Sequence, residues 1–448
     1  MTPIDPPRCT VALSGLLIVA IAACSPSQPS PPQASSVQAS VRDGQRSTPP
    51  AKPLLPAPEN PDPQTTAQIE QYLNTLAAQG FARENQGIWI QRGDTLLANH
   101  QGTTPLSAAS VTKIATSLVA LQTFGPQHQF VTEIAAKGPI ENGVLNGDLV
   151  ILGGEDPFFV WEDAIPLGNR LNELGIDRVT GNLVIVGEFS MNFETDPATS
   201  GTLLQQALNA QIWPPEAQTQ YGTLPPGTPQ PQVIVEGAVQ VVDSASANRT
   251  LLLRHRSRPL AELVKQMNMY SNNMIADMLA ESVGGAGVVA QKAAEAAGVG
   301  AGEIQLINGS GLGEENRMSP RAACGVFLAL QEYLNGHNMT LADAIAIIGK
   351  DLGVLEGRPL PANAVVKTGS LNYVSTLAGV IPTQSGLVWV AIMNTDGDLQ
   401  QYRTRQEVML QNLMGEWGEP AEVVPEIAPT AWKKNPGSRI EVVAQPSG

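Results

Sequence analysis

Cysteine and histidine are scarce in this chain, and basic charge is in the minority. Its three cysteines are Cys9, Cys24 and Cys324, and its four histidines, His100, His128, His255 and His337, lie far apart. No HExxH or CxxC occurs, so the usual ligand spacing of a zinc site is missing. Cys9 would be removed with the leader and Cys24 would lie at the processing site read below, which would leave no pair for a disulfide in the mature chain. Cys324, in the apolar stretch Ala322 to Leu328, reads as a small buried hydrophobe. No GxSxG elbow is present, which disfavours an α/β-hydrolase triad. Lys plus Arg number 26 against 41 Asp plus Glu, a net charge of −15. Nucleic-acid binding depends on basic clusters that neutralise phosphates, and none is visible, so no nucleic-acid partner is expected.

What is present begins with an address. Residues 11–23, VALSGLLIVAIAA, form an apolar run too short for a membrane span and suited to a signal-peptide core. The run ends Ile21-Ala22-Ala23-Cys24, which resembles a bacterial lipobox, in which the cysteine takes diacylglycerol and becomes the new N-terminus. Arg8 is the only basic residue before it. Residues 1–23 are therefore expected to be a signal peptide with lipobox, and Cys24 a lipid anchor to a membrane surface. Residues 24–63 are rich in Pro, Ser, Gln and Ala. Such a stretch buries too little apolar surface to order itself, and its prolines make it an extended tether. An exported protein of the periplasm or cell envelope is implied. With 42% hydrophobic residues, the remainder can build a sizeable core.

The folded part divides by texture. Gln68 to Leu76 reads as an opening helix. Gly87–Gln91 and Thr95–Ala98 flank Arg92-Gly93-Asp94 as a hairpin. Ser110 opens a helix, SVTKIATSLVALQTF, apolar on nearly every side and hence buried. Residues 132–255 carry short strand-like runs, Leu149–Leu152, Asn182–Val186 and Val233–Val235, and read as a β-rich insert. Helices follow over Leu260–Asn268, Met274–Val283 and Ala322–Leu334. Strands return at Ala364–Gly369, Ala378–Ile381 and Leu387–Ile392. An α+β fold is expected: one antiparallel sheet made from both chain ends, with helices around it. The main domain would span 64–131 and 256–417, the insert 132–255, and a Pro-rich tail 418–448.

Three short motifs carry chemistry. In Ser110-Val111-Thr112-Lys113, positions i and i+3 share a helix face, which sets Lys113 against the Ser110 hydroxyl. Burial lowers a lysine's pKa, and a neutral amine can accept the serine proton. Among the nine lysines only Lys113 follows a serine at that spacing. The chain's single KTG, Lys367-Thr368-Gly369, continues into Ser370 after a β-branched run. There a cation and hydroxyls can hold a carboxylate, and glycine lets a substrate backbone approach. Ser271-Asn272-Asn273 is a weak pattern that also occurs at Ser190, Ser246 and Ser370, but only Ser271 joins two helical stretches. Taken alone it also fits helix capping.

In this order the motifs match the SxxK, SxN and KTG signatures of penicillin-binding proteins and serine β-lactamases. With the flanking stretches NGVLNGDLVILGGEDP, NGSGLGEENRMSP and VVKTGSLNYVSTLAGVI, residues 66 to 415 resemble the D-alanyl-D-alanine carboxypeptidase/endopeptidase family of low-molecular-mass, class C penicillin-binding proteins. The interval from Ser110 to Ser271 is shorter than that family's usual insert, which implies that one accessory domain is reduced or missing. Gly309-Ser310-Gly311-Leu312 is similar to the family but also fits a plain turn.

The resemblance implies a serine D,D-peptidase of peptidoglycan stem peptides. Ser110 would be the acylated nucleophile and Lys113 its neutral base. Ser271 would relay a proton to the leaving amine, and Asn273 would hold the substrate amide and Lys113. Lys367, Thr368 and Ser370 would bind the terminal carboxylate, with Gly369 giving room. The backbone N–H groups of Ser110 and Ser370 would form the oxyanion hole, no metal or organic cofactor would be needed, and β-lactams would acylate Ser110. A β-lactamase-like hydrolase and an inactive peptidoglycan-binding lipoprotein are the alternatives.

Overall fold

The computed structural model describes residues 55–244, 247–430 and 439–443; the apolar run 11–23, Cys24 and most of the proline-rich stretch lie outside them. Helix α1 (Pro63–Ala78) starts where Asp62 caps it, its carboxylate accepting the Thr65 N–H at 2.8 Å, with proline at the first helical position. Strands β1 (Gln86–Arg92) and β2 (Thr95–His100) form a hairpin around Gly93, whose φ is +54°. A single 3₁₀ turn, Ala109–Thr112, precedes α2 (Lys113–Phe124). Next come β3 (Val131–Lys137), β4 (Asp148–Leu152), α3 (Trp161–Glu173), β5 (Leu183–Val186), α4 (Pro197–Ala207), α5 (Pro215–Tyr221), β6 (Val239–Val242) and β7 (Thr250–Arg256). Helices α6 (Leu260–Met269), α7 (Asn273–Ser282), α8 (Ala286–Ala297) and α9 (Pro320–Asn335) follow, then β8 (Val365–Leu371), β9 (Val374–Thr383), β10 (Gly386–Asn394), α10 (Leu399–Trp417) and β11 (Ile440–Val442).

Both chain ends build one sheet of five antiparallel strands in the order β8-β9-β10-β1-β2. Every residue of β9 is buried, because helices cover both faces of the sheet. In β1, Ile88 and Ile90 pack with Leu73, Leu76, Leu410 and Leu413 of α1 and α10, while Trp89 packs on the opposite side with α2 and α9. This alternation follows from the two-residue period of a strand. Leu118 and Leu121 of α2 are fully buried, each contributing about 1.5–3 kcal/mol. Cys324 of α9 is buried and unpaired, and burial pushes its thiol pKa up.

Residues 132–255 hold helices as well as the expected strands. The six-stranded sheet they build with β11, in the order β6-β5-β4-β3-β7-β11, contains two parallel pairs, β4/β5 and β5/β6. Parallel neighbours need long crossovers, and α3, α4 and α5 lie in them. Their prolines hid them: Pro166 sits within α3, and α4 and α5 begin with Pro197 and Pro215. Proline reads as punctuation, yet it is favourable in a first helical turn.

The stretch after Trp417, read as a tail, also packs. Ile427 enters the helical core, and β11 pairs antiparallel with β7. Arg439 forms an ion pair with the buried Asp163. Three residues of strand are too few for periodicity to reveal.

Candidate active site

Ser110 stands in the 3₁₀ turn, and Lys113 is the first residue of α2. The sequence suggested an α-helical face for this pair. In a 3₁₀ turn, residues i and i+3 eclipse each other, which stacks them still more directly. Lys113 Nζ donates to Ser110 Oγ at 2.9 Å, to Asn273 Oδ1 at 2.8 Å and to the Ser310 carbonyl at 2.7 Å. Burial pulls the Lys113 pKa down to about 7, against the opposing charge of Asp277. The residue before the serine, Ala109, has φ +44°, a left-handed conformation that surrounding structure must hold in place for a non-glycine residue. The Ala108 N–H donates to the Asn316 carbonyl at 2.9 Å, and Thr376 Oγ1 donates to the Ala108 carbonyl at 2.9 Å.

Ser271 lies in the turn between α6 and α7, also left-handed at φ +53°. Asn272 performs the helix capping that the pattern allowed: its Oδ1 accepts the Ile275 N–H at 3.0 Å. Ser271 and Asn273 are thereby left for the site, the first accepting from Lys367 Nζ at 3.0 Å and the second from Lys113.

Lys367, Thr368, Gly369 and Ser370 lie along β8. A Cβ on Gly369 would fall 2.7 Å from the Ser110 nitrogen and 2.4 Å from Thr376 Oγ1. Only glycine lets this strand approach the turn so closely. Lys367 Nζ also donates to the Thr368 carbonyl at 2.6 Å. Burial and then the charge of nearby Lys113 hold the Lys367 pKa well below the usual lysine value.

Several site residues were given no role by the sequence. The loop Asn308–Gly311, which also fitted a plain turn, walls the site. Its Ser310 carbonyl accepts from Lys113, and its Ser310 N–H donates to Asp277 Oδ1 at 2.8 Å. Thr116 Oγ1 pins the Gly309 carbonyl at 2.7 Å. Asp277 stands four residues beyond Asn273, one helical turn along the same face. Arg403 of α10 donates to Ser370 Oγ at 2.7 Å. The two glycines around Ser310 were the available signal for the loop; nothing in the local sequence marks Arg403. Beside α7 a groove of about 510 Å³ is lined by Glu155, Glu188, Asp277, Glu281, Met274 and Met278, among others. Its four carboxylates favour a cationic group.

The profile of the D-Ala-D-Ala carboxypeptidase 3 (S13) family matches residues 67–192 and 230–413. The chain belongs to this family. Both matched segments contribute to the site, and residues 193–229, which include α4 and α5, fall between them. The D-alanyl-D-alanine carboxypeptidase DacB of Haemophilus influenzae is 26% identical over 419 residues, covering 70% of this chain and 86% of that protein. Carboxypeptidase DacB of Mycolicibacterium smegmatis is 28% identical over 188 residues, 36% of this chain and 39% of that one. Two solved structures share the fold. The predatory endopeptidase Bd3459 of Bdellovibrio bacteriovorus, in complex with its immunity protein, has a TM-score of 0.64 at 21% identity, over 75% of this chain and 94% of that one. Penicillin-binding protein 4 of H. influenzae has a TM-score of 0.59 at 21% identity, over 78% and 99%. The S13 fold is thus an α+β penicillin-binding-protein-like domain, and the chain is a serine-type D-Ala-D-Ala peptidase by family.

Proposed function

We propose that this S13 member hydrolyses D-Ala-D-Ala termini, D-Ala cross-links, or both, in peptidoglycan stem peptides through an acyl-enzyme on Ser110. The observation that carries the reading is the buried Lys113 amine, with its lowered pKa, 2.9 Å from Ser110 Oγ. Neutral Lys113 takes the hydroxyl proton as Ser110 attacks the carbonyl carbon. The Ser110 and Ser370 N–H groups receive the oxyanion. Ser271, bonded to Lys367, passes a proton to the leaving amine. Asn273 holds Lys113 and the substrate amide. The substrate carboxylate meets Thr368, Ser370 and Lys367, and its negative charge favours the protonated form of Lys367. Water then releases the acyl group. The insert, residues 132–255, is proposed as an accessory domain, shortened relative to the family, on the peptidase domain of 64–131 and 256–417.

β-Lactams are proposed as covalent inhibitors at the same serine; a solved form of Bd3459 is acylated by penicillin G. The test is digestion of purified muropeptides, with products identified by mass, beside peptide mapping of the penicillin adduct. Release of D-Ala or of uncross-linked peptides, with the adduct on Ser110, is expected. An adduct elsewhere would sink the assignment, and rapid β-lactam turnover with intact muropeptides would favour the β-lactamase alternative.

Anchoring at Cys24 and a periplasmic or cell-envelope location are part of the proposal, supported by Ile21-Ala22-Ala23-Cys24. Among the described residues no helix is long and apolar enough to cross a membrane. A fatty-acid analogue fed to expressing cells should mark the wild type and spare Cys24→Ser. Equal marking of both, or of neither, counts against lipidation.

A further inference from the structure

Arg403 projects from the last helix to the strand proposed to bind the substrate carboxylate. Its Nη2 donates to Ser370 Oγ at 2.7 Å, across 33 residues of sequence. Its Nε is buried and has no hydrogen-bond partner among the described residues. Two charged groups that act on it are committed to each other: Arg358 Nη2 lies 2.7 Å from Glu407 Oε1, and Arg358 Nε donates to the same oxygen at 2.8 Å. Arg403 therefore brings a cation to the end of β8 that no carboxylate of the described chain takes up within salt-bridge distance.

We propose that Arg403 is a specificity-determining residue that supplies the permanent cation selecting substrates with a free carboxylate beside the scissile bond. The proposal rests on the D,D-peptidase reading and deepens it. Three features carry it. A serine hydroxyl has one proton to donate. By accepting from Arg403, Ser370 Oγ is left with that proton free to point at a ligand oxygen, and the guanidinium polarises it. Second, the other cations of the site are two amines whose protonation burial disfavours, that of Lys367 also through the charge of Lys113. A guanidinium stays protonated in proteins. Third, its planar fork matches a carboxylate, and its orphaned Nε leaves donor capacity unused.

The experiment compares second-order acylation rates for benzylpenicillin and for its methyl ester, whose carboxylate is masked. Wild type, Arg403→Gln and Arg403→Lys are measured by intact mass. The wild type should prefer the free acid. Arg403→Gln should lower the acid-to-ester ratio at least about tenfold, the scale of one charge-assisted hydrogen bond, and Arg403→Lys should restore part of it. Equal losses on both compounds, with the ratio unchanged, would mean that Arg403 only positions β8, and would overturn the proposal. The wild type alone provides a second test that does not depend on any variant folding. A wild type acylated by both compounds at equal rates selects no carboxylate, and the proposal fails. No acylation of the wild type by either compound would remove the peptidase reading itself, an outcome distinct from acylation without selectivity.

Discussion

Lys113→Arg should lose penicillin acylation by at least ~10²-fold, the low end for removal of a general base, while Lys367→Arg should keep a measurable rate. The arginine at 113 retains a cation but cannot give up a proton. It could still donate toward Asn273 Oδ1 and the Ser310 carbonyl, the partners of Lys113. What it cannot do is receive the Ser110 proton. At position 367 the proposed task is to attract a carboxylate, for which a guanidinium suffices in charge if not in shape. That variant should therefore show weaker apparent affinity for substrates with a free carboxylate. The pH profile of the wild type carries the same argument. Burial brings the Lys113 pKa down to about 7, so the competent neutral form is lost as pH falls through that value. The second-order acylation rate should rise about tenfold per unit below pH 7 and level off above it. Equal rates for the two arginine variants, or a pH-independent wild type, would assign the base to another group.

How much of this site the sequence disclosed depended on whether the relevant atoms belonged to side chains. Ser110, Lys113, Ser271, Asn273 and the KTG strand were legible because their types and order are themselves the signal, and the structure brings those side chains within about 3 Å of one another in pairs. Ser310 was not legible in the same way. Its carbonyl and N–H hold Lys113 and Asp277, and any residue has those groups. Arg403 was illegible for a different reason: it depends on α10 packing against the central sheet, a long-range event with no local mark. The strands of the central sheet were read to within a few residues, since each is a short apolar run. The helices of the insert were not, because their prolines obscured the 3.6-residue period.

Gly311→Ala should reduce acylation by about 10²-fold, the scale on which a misplacement of about 1 Å acts. The position adopts φ +80°, and a Cβ there would lie 1.9 Å from the Ala109 carbonyl oxygen and 2.8 Å from Thr112 Oγ1. The first contact is with backbone and cannot be relieved by turning a side chain. Ala109 is itself held left-handed, at φ +44°, directly before the nucleophile. The strain therefore passes to Ser110, whose nitrogen and Oγ are both proposed to act. It cannot pass easily to the other side, because β8 approaches the same turn so closely that a Cβ on Gly369 would fall 2.7 Å from the Ser110 nitrogen. Gly313→Ala separates this effect from backbone strain alone. Gly313 also has positive φ, at +106°, but its added Cβ would meet chiefly the Glu315 carboxylate end at 2.8 Å, which can swing aside. Both variants should lose some thermal stability through the left-handed position. Only Gly311→Ala should also lose acylation far beyond that stability change. If the two variants acylate at equal rates, the loop does not set the position of Ser110.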